Sequence, residues 1–252
     1  MFAMMLISSP LVKAEERPYV ISGFDDVLRQ AENTGLVKAA LKIVEKDKTF
    51  AGMPELYQGL SREEKTPEKF SIVSAISSLF DGRISEFLAD SGFPENDRYL
   101  RNWLTEWSIE DFKVSRIEKI IKNKPQRKFI VIFDNSDPSL ALSEKLHEKF
   151  SENILAIYLR QVVEKPLPSS ATPFVSAFDI AVNEFVADRM TSDEVLKVGS
   201  AIVQESRSEL ILPSYALCST SFTHCEDVPV ILQNACQQVR ARIEEICRQR
   251  SS

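Results

Sequence analysis

Side chains able to bind a polar ligand occur at intervals along the chain, most of them directly after short apolar segments. They are Asp25, Ser74, Lys113, Asp134 and Asp137. Ligands of open α/β sheets bind beyond the carboxyl ends of the strands. These five residues can form one site only if the apolar segments before them belong to one parallel sheet.

Apolar segments and helical patterns alternate along the chain. Strands are predicted over 19–22, 70–73, 128–133 and 154–158. Helices are predicted over 33–60, with an interruption at 52–54, and over 78–90, 111–123, 139–150, 178–187 and 191–205. The order β-α-β-α-β-α-β predicts an α/β fold with a doubly wound parallel sheet. Three of the four strands then end in Asp or Ser, at the edge where a ligand binds.

The composition excludes several classes of protein. The 252 residues are 44% hydrophobic and 27% charged, which excludes disordered, collagenous and coiled-coil chains. The net charge of −6 leaves no basic surplus for non-specific nucleic-acid binding. With 7 glycines and 2 histidines, the sequence contains no dinucleotide fingerprint, P-loop or His-rich zinc site.

The first 14 residues resemble the end of a secretory signal peptide. Residues 2–12 are uncharged and mostly apolar, and Val12 and Ala14 stand at the −3 and −1 positions of a cleavage site. The stretch is too short to span a membrane and lacks a basic segment before it. The sequence favours export, and a disordered or packed N-terminal tail is the alternative.

All four cysteines lie in the last fifth of the chain, where a helix is predicted from Asp227 onward. Cys236 and Cys247 would share one helix face about 16 Å apart, too far to bridge each other. A segment running back along that helix would pair Cys225 with Cys236 and Cys218 with Cys247. These disulfides would support export. Four buried thiols are the alternative.

The order of carboxylate, hydroxyl, lysine and carboxylates resembles the motif order of the haloacid dehalogenase superfamily of phosphohydrolases. Residues 18–162 are more closely similar to the catalytic domain of the actin-patch type of phosphatidate phosphatases. The segments that carry the resemblance are 19–29, 49–57, 99–103, 112–120, 127–132 and 154–160. The resemblance implies a haloacid dehalogenase-like fold acting on phosphate esters or phospholipids.

The resemblance also assigns roles to residues. In this superfamily an aspartate after the first strand attacks phosphorus, and an aspartate two residues later serves as general acid and base. Asp25 matches the second of these. Ser74 and Lys113 match residues that hold the phosphoryl oxygens. Asp25, Asp134 and Asp137 match ligands of a Mg²⁺ ion that neutralises charge in the transition state.

The nucleophile position, two residues before Asp25, is occupied by Gly23. The family's Gly-Asp-Ser-Gly motif is also altered at 133–137, and residues 75–77 replace the Ser-Ser-Pro after Ser74. These departures predict a catalytically impaired homologue that holds phosphate or Mg²⁺ weakly. One alternative is an active Mg²⁺-dependent phosphohydrolase, in which Gly23 is a sequence variant or Asp25 activates water directly. The other is a secreted interaction module without enzymatic activity.

Three parts of the chain are predicted to differ in role. Residues 1–14 are the signal-peptide remnant, 15–210 the phosphatase-like domain, and 211–252 a Cys-containing extension packed on it. A small cap is expected within 30–69. Its large apolar residues have a spacing more typical of core than of lipid contact; they are Phe50, Met53, Leu56 and Tyr57.

Structural interpretations of single residues stay open beside the functional ones. Asp25 could cap the following segment, and Lys113 could belong to a solvated helix face. Asp26 is expected to accept hydrogen bonds from loop amides. Arg160 could form a local salt bridge. Trp103 and Trp107, four residues apart, predict a packed helix face.

Overall fold

The computed structural model describes residues 17–31, 48–62, 69–218 and 225–251. Its strands form one parallel sheet in the order β3-β2-β1-β4-β5-β6, which confirms the predicted α/β fold. The strands are β1 (Tyr19–Ser22), β2 (Phe70–Ser77), β3 (Asn96–Arg101), β4 (Phe129–Asp134), β5 (Ile154–Arg160) and β6 (Thr172–Phe174).

Helices connect the strands and follow the last one. They are α1 (Met53–Ser61), α2 (Asp81–Asp90), α3 (Ile109–Asn123), α4 (Asp137–Phe150), α5 (Ala177–Val186), α6 (Ser192–Gln204), α7 (Ser208–Ile211) and α8 (Val230–Ser251), with a 3₁₀ turn at Ser78–Phe80. No helix within these described ranges is long and apolar enough to cross a lipid bilayer.

The central strands β1 and β4 are buried along their whole length because helices cover both faces of the sheet. Side chains of a strand alternate between faces, so each strand contributes to two hydrophobic clusters. Val20 and Ile130 belong to one cluster, whereas Ile21 and Val131 belong to the other. The core therefore fixes β1 and β4 side by side, and with them the residues that follow each strand.

The order of the strands creates a crevice beyond β1 and β4. From β1 the chain adds β2 and β3 on one side, then returns to place β4, β5 and β6 on the other. Helices that follow β1 and β4 therefore diverge at this point, and the carboxyl ends of the two strands face an opening. The sequence predicted a ligand site at this edge.

Two strands were not predicted, and two, β2 and β5, are longer than predicted. Edge strand β3 has the polar sequence Asn-Asp-Arg-Tyr-Leu-Arg, and β6 at the opposite edge has only three residues. Strand β2 extends to Ser77, so the expectation that Ser74 ends this strand was wrong. Ser22 pairs with Ile72, so Ser74 lies two residues further, level with the segment after β1.

The prediction of a helix face with Trp103 and Trp107 was wrong. Residues 102–108 form a loop in which the backbone amide of Glu106 donates a hydrogen bond to the Asn102 carbonyl, 2.9 Å away. Trp103 turns inward and donates its indole N–H to the Ala75 carbonyl at 3.0 Å. Trp107 is 85% exposed and does not pack. The loop thus separates two tryptophans that a helix would have aligned.

The two disulfides pair as the sequence predicted, with Cys218 joined to Cys247 and Cys225 joined to Cys236. Helix α8 packs against α6, where a Cβ on Gly199 would lie 3.7 Å from the Ala235 Cβ. The C-terminal extension, 211–252, therefore contributes side chains to the larger of the two hydrophobic clusters. The predicted signal-peptide remnant, 1–14, lies outside the described residues.

Part of the predicted cap also lies outside the described residues, at 32–47 and 63–68. Within 48–62, α1 is the helix, and it begins at Met53, inside the interruption that the sequence predicted at 52–54. Met53, Leu56 and Tyr57 are fully buried in the core. The Tyr57 hydroxyl lies 2.6 Å from the Ser22 Oγ, which ties α1 to the end of β1.

Candidate phosphate site

Gly23, which the resemblance aligns with the nucleophile of the superfamily, lies directly after β1 and against β4. Its N–H donates a hydrogen bond to the Ile132 carbonyl at 2.8 Å. A Cβ on Gly23 would lie 3.0 Å from Phe133 Cδ1 and 3.1 Å from Val27 Cγ2. Phe133 is 1% exposed, so its ring cannot move freely out of the way. Gly23, Val27 and Phe133, here called the apolar side, therefore leave little space for a carboxylate.

Asp25 follows on the same loop, and about a quarter of its side chain is exposed. Its Oδ1 accepts a hydrogen bond from Arg29 Nε at 2.9 Å. Burial raises the pKa of Asp25, an effect that the Arg29 cation opposes. Asp134 raises this pKa further and Lys113 lowers it, so both charges act on the carboxylate.

Lys113 comes from the second turn of α3 rather than from a solvated helix face, and it is 8% exposed. Its Nζ lies 3.4 Å from the Ser139 Oγ and 5.0 Å from the centre of the Phe133 ring. Burial lowers the pKa of Lys113, whereas Asp134 and Asp25 raise it. We call Asp25, Lys113 and Asp134 the charged side of the crevice.

Asp134 is the last residue of β4 and is 7% exposed. Its Oδ1 accepts a hydrogen bond from the Ser136 N–H at 2.7 Å, which shapes the turn into α4. Asn135 points elsewhere, because its side-chain oxygen accepts from the Val162 N–H at 2.8 Å. Asp137 begins α4, and its side chain lies outside the described part of the structure.

Ser74 is buried in β2, and its Oγ accepts a hydrogen bond from the Ile76 N–H at 3.3 Å. This contact belongs to the irregular end of β2, where the register with β3 shifts between Ser74 and Ser77. The structure thus brings Asp25, Lys113 and Asp134 together, whereas the described contact of Ser74 is structural.

Asp26 is fully buried and has a positive φ of 56°, a conformation that aspartate adopts more readily than most residues. Its Oδ1 accepts hydrogen bonds from the Ala31 N–H, at 3.0 Å, and from the Tyr215 hydroxyl. Burial raises the pKa of Asp26 to about 6. The expectation of a structural acceptor is confirmed, but the contact with Tyr215 in the C-terminal extension was not foreseen.

Arg160 ends β5 next to Asp134 in β4 and is 2% exposed. Its guanidinium carbon lies 4.0 Å from the centre of the Phe50 ring, and Nη1 donates to the Val175 carbonyl at 2.9 Å. Nη2 donates to the Val27 carbonyl at 3.4 Å, so Arg160 holds the loop after β1. Burial lowers the pKa of Arg160 to about 10.

The described residues do not fit a tightly bound Mg²⁺. Gly23 supplies no side-chain ligand, and one oxygen of Asp25 is held by Arg29. The Lys113 cation interacts electrostatically with both Asp25 and Asp134, and it competes with a metal ion for their charge. Within the described ranges, no group of three His, Cys, Asp or Glu residues is placed to hold a metal ion.

One comparison with known proteins supports the family that the sequence resembles. A family model described as "Phosphatidate phosphatase APP1, catalytic domain" matches residues 19–161, more than half of the chain. The match spans β1 to β5 and includes Gly23, Asp25, Lys113 and Asp134. No curated protein and no solved structure matches the chain significantly.

Proposed function

We propose that this chain, which belongs to the family of the phosphatidate phosphatase APP1 catalytic domain, binds phosphate esters but hydrolyses them poorly or not at all. The observation that carries the proposal is the packing at Gly23. The position lacks a nucleophile, and Phe133 and Val27 occupy the space beside it. Loss of a covalent nucleophile lowers turnover by about 10⁴–10⁶-fold in enzymes that depend on one.

Retention of the charged side supports the binding half of this proposal. Lys113 carries a cation in a nearly buried setting, where its attraction for an anion is stronger than in water. The phosphate group of a monoester would contact the Lys113 ammonium beyond the carboxyl end of β4. The substrate class, a phospholipid or another phosphate ester, is inferred from the family alone. Phosphatases of this family generally use Mg²⁺, and we expect the chain to bind it weakly.

The experiment compares hydrolysis of p-nitrophenyl phosphate with Mg²⁺ by the natural chain, Gly23→Asp and the double variant Gly23→Asp/Phe133→Gly. We expect no hydrolysis by the natural chain and little by Gly23→Asp, because the new carboxylate meets the Phe133 ring. The double variant makes space and is expected to exceed the natural chain by at least about 100-fold.

The matched control is Gly23→Ala/Phe133→Gly, which makes the same space without a carboxylate and is expected to stay inactive. Hydrolysis by the natural chain that disappears in Asp25→Asn would contradict impaired catalysis and support direct attack of water with Asp25 as base. The raised pKa of Asp25 is the observation that favours this second candidate.

We also infer that the chain acts outside the reducing cytosol. Two disulfides are compatible with an extracellular protein, since such bonds persist in oxidising compartments. The leader-like residues 1–14 support the same inference. Alkylation of the protein from its natural host under denaturing conditions should find all four cysteines protected. Four reactive thiols would contradict export.

A further inference from the structure

Three large apolar side chains are almost fully exposed at one edge of the sheet. Leu79 is 90% exposed, Leu104 is 84% exposed and Trp107 is 85% exposed. Leu79 lies in the 3₁₀ turn after β2, and the other two lie in the loop after β3. We call these three residues the apolar tips.

The apolar tips share an edge with the phosphate site. Strand β2 pairs in parallel with β1, and β3 pairs in parallel with β2, so the segments that follow both strands leave the sheet at the edge where Asp25 lies. The loop after β3 is fixed there by the hydrogen bond from Trp103 to the Ala75 carbonyl and by the ion pair of Arg116 with Glu106, 2.5 Å long. The tips are therefore held beside the opening of the crevice.

Three carboxylates near the apolar tips are paired with cations. Glu106 pairs with Arg116, Asp81 with Arg98 at 2.6 Å, and Glu110 with Lys145. These pairs reduce the negative potential that a protein of net charge −6 would otherwise present at this edge. Contact of the tips with a lipid surface is thus not opposed by a dense local negative charge.

We propose that the apolar tips insert into the surface of a phospholipid membrane and bring the phosphate site to the lipid headgroups. Leucine side chains at loop tips gain free energy when they enter hydrocarbon, and the amphipathic indole of tryptophan prefers the headgroup level. Side chains on two separate loops suit a soft lipid layer. The membrane contact itself rests on exposure, whereas its link to substrate rests on the proposed function.

The experiment measures binding to sucrose-loaded phosphatidylcholine vesicles that contain no phosphatidate, so it does not depend on phosphate binding in the crevice. We expect the natural chain to sediment with the vesicles and to do so nearly equally at low and high salt, because insertion is apolar. Trp107→Ser should weaken the partition by roughly tenfold, and Leu79→Ser/Leu104→Ser/Trp107→Ser by roughly 100-fold or more.

The matched control is Val186→Ser/Val230→Ser, which removes two exposed apolar side chains from outside the two loops and should leave binding unchanged. The fluorescence of Trp107, obtained as the difference between the spectra of the natural chain and Trp107→Phe, should shift to the blue when vesicles are added. Failure of the natural chain to bind, equal binding by the triple variant, or self-association that the triple variant abolishes without any vesicle binding would overturn the proposal.

Discussion

The two sides of the crevice beyond β1 and β4 have kept different properties. On the charged side, Asp134 acts electrostatically on both Asp25 and Lys113 and raises the pKa of each, so the three side chains lie close together. On the apolar side, Phe133 packs against Gly23, where the resemblance places a nucleophile. An anion would be attracted by Lys113 against the repulsion of the nearby Asp25 and Asp134 carboxylates, whereas phosphoryl transfer needs a nucleophile as well. Under the proposed function, binding and cleavage therefore depend on different sides of the crevice.

The largest effect is expected from the apolar side. Phe133→Ala should lower the free energy of unfolding by about 3–5 kcal/mol, because it opens a cavity between β1 and α3. Urea denaturation measures the change. Phe133→Leu is the matched control and should lower stability by less than about 1.5 kcal/mol. A loss below about 1 kcal/mol in Phe133→Ala would mean that the apolar side is not packed as described.

A pH-dependent effect is expected beneath the charged side, at Asp26. Its folded pKa of about 6 exceeds the ordinary 3.8, so the folded state binds the proton more tightly. The stability that Asp26 contributes to the folded state is therefore fully present below the unfolded pKa, and it is lost as the pH rises through the folded pKa of about 6. Between pH 4 and pH 7, the free energy of unfolding of the natural chain should therefore fall by about 2–3 kcal/mol relative to that of Asp26→Asn.

Urea denaturation of the natural chain and of Asp26→Asn across this pH range measures the difference between their free energies of unfolding. Asp26→Asn is well suited as the reference because an amide oxygen can still accept the hydrogen bonds from Ala31 and Tyr215. A difference that stays constant with pH, or that changes in the opposite direction, would contradict a raised pKa at Asp26.

Lys113→Met tests the charged side directly. We expect the affinity for inorganic phosphate, measured by calorimetry, to fall by about tenfold or more, since a charge-assisted contact contributes about 1.5–3 kcal/mol. Stability should fall as well, because the carboxylates of Asp25 and Asp134 lose this cation, so phosphate affinity is measured under conditions in which the variant is folded. The exposed Lys119 of the same helix offers the control Lys119→Met, which should leave phosphate affinity unchanged. Equal affinities in all three proteins would refute the proposed phosphate site.

The sequence predicted the parts of the fold that depend on local pattern. The apolar segments that form β1 and β4 were recognised because buried parallel strands are continuously hydrophobic. The phase of one helix excluded a bridge between Cys236 and Cys247, and the assumption that the preceding segment runs back along this helix gave the two pairs that the structure contains. Strand β3 was missed because an edge strand with polar residues lacks this signal.

The site was predictable only in part, for a different reason. Motif order indicated Asp25, Lys113 and Asp134, and the missing nucleophile at Gly23. The packing of Phe133 against Gly23 depends on the pairing of β1 with β4, which no local pattern reveals. The same holds for Tyr215, which lies 189 residues from its partner Asp26. Contacts between distant segments decide whether a retained motif still has room to act.

The smallest effect is expected at this last contact. Tyr215→Phe removes the hydroxyl that donates to Asp26 while keeping the ring, so unfolding free energy should fall by about 1 kcal/mol. Because the lost donor stabilises the carboxylate, the pKa of Asp26 should rise, which strengthens the pH dependence between pH 4 and pH 7. In the Asp26→Asn background, Tyr215→Phe should no longer alter this pH dependence. If it still does, the extension acts on the crevice through a group other than Asp26.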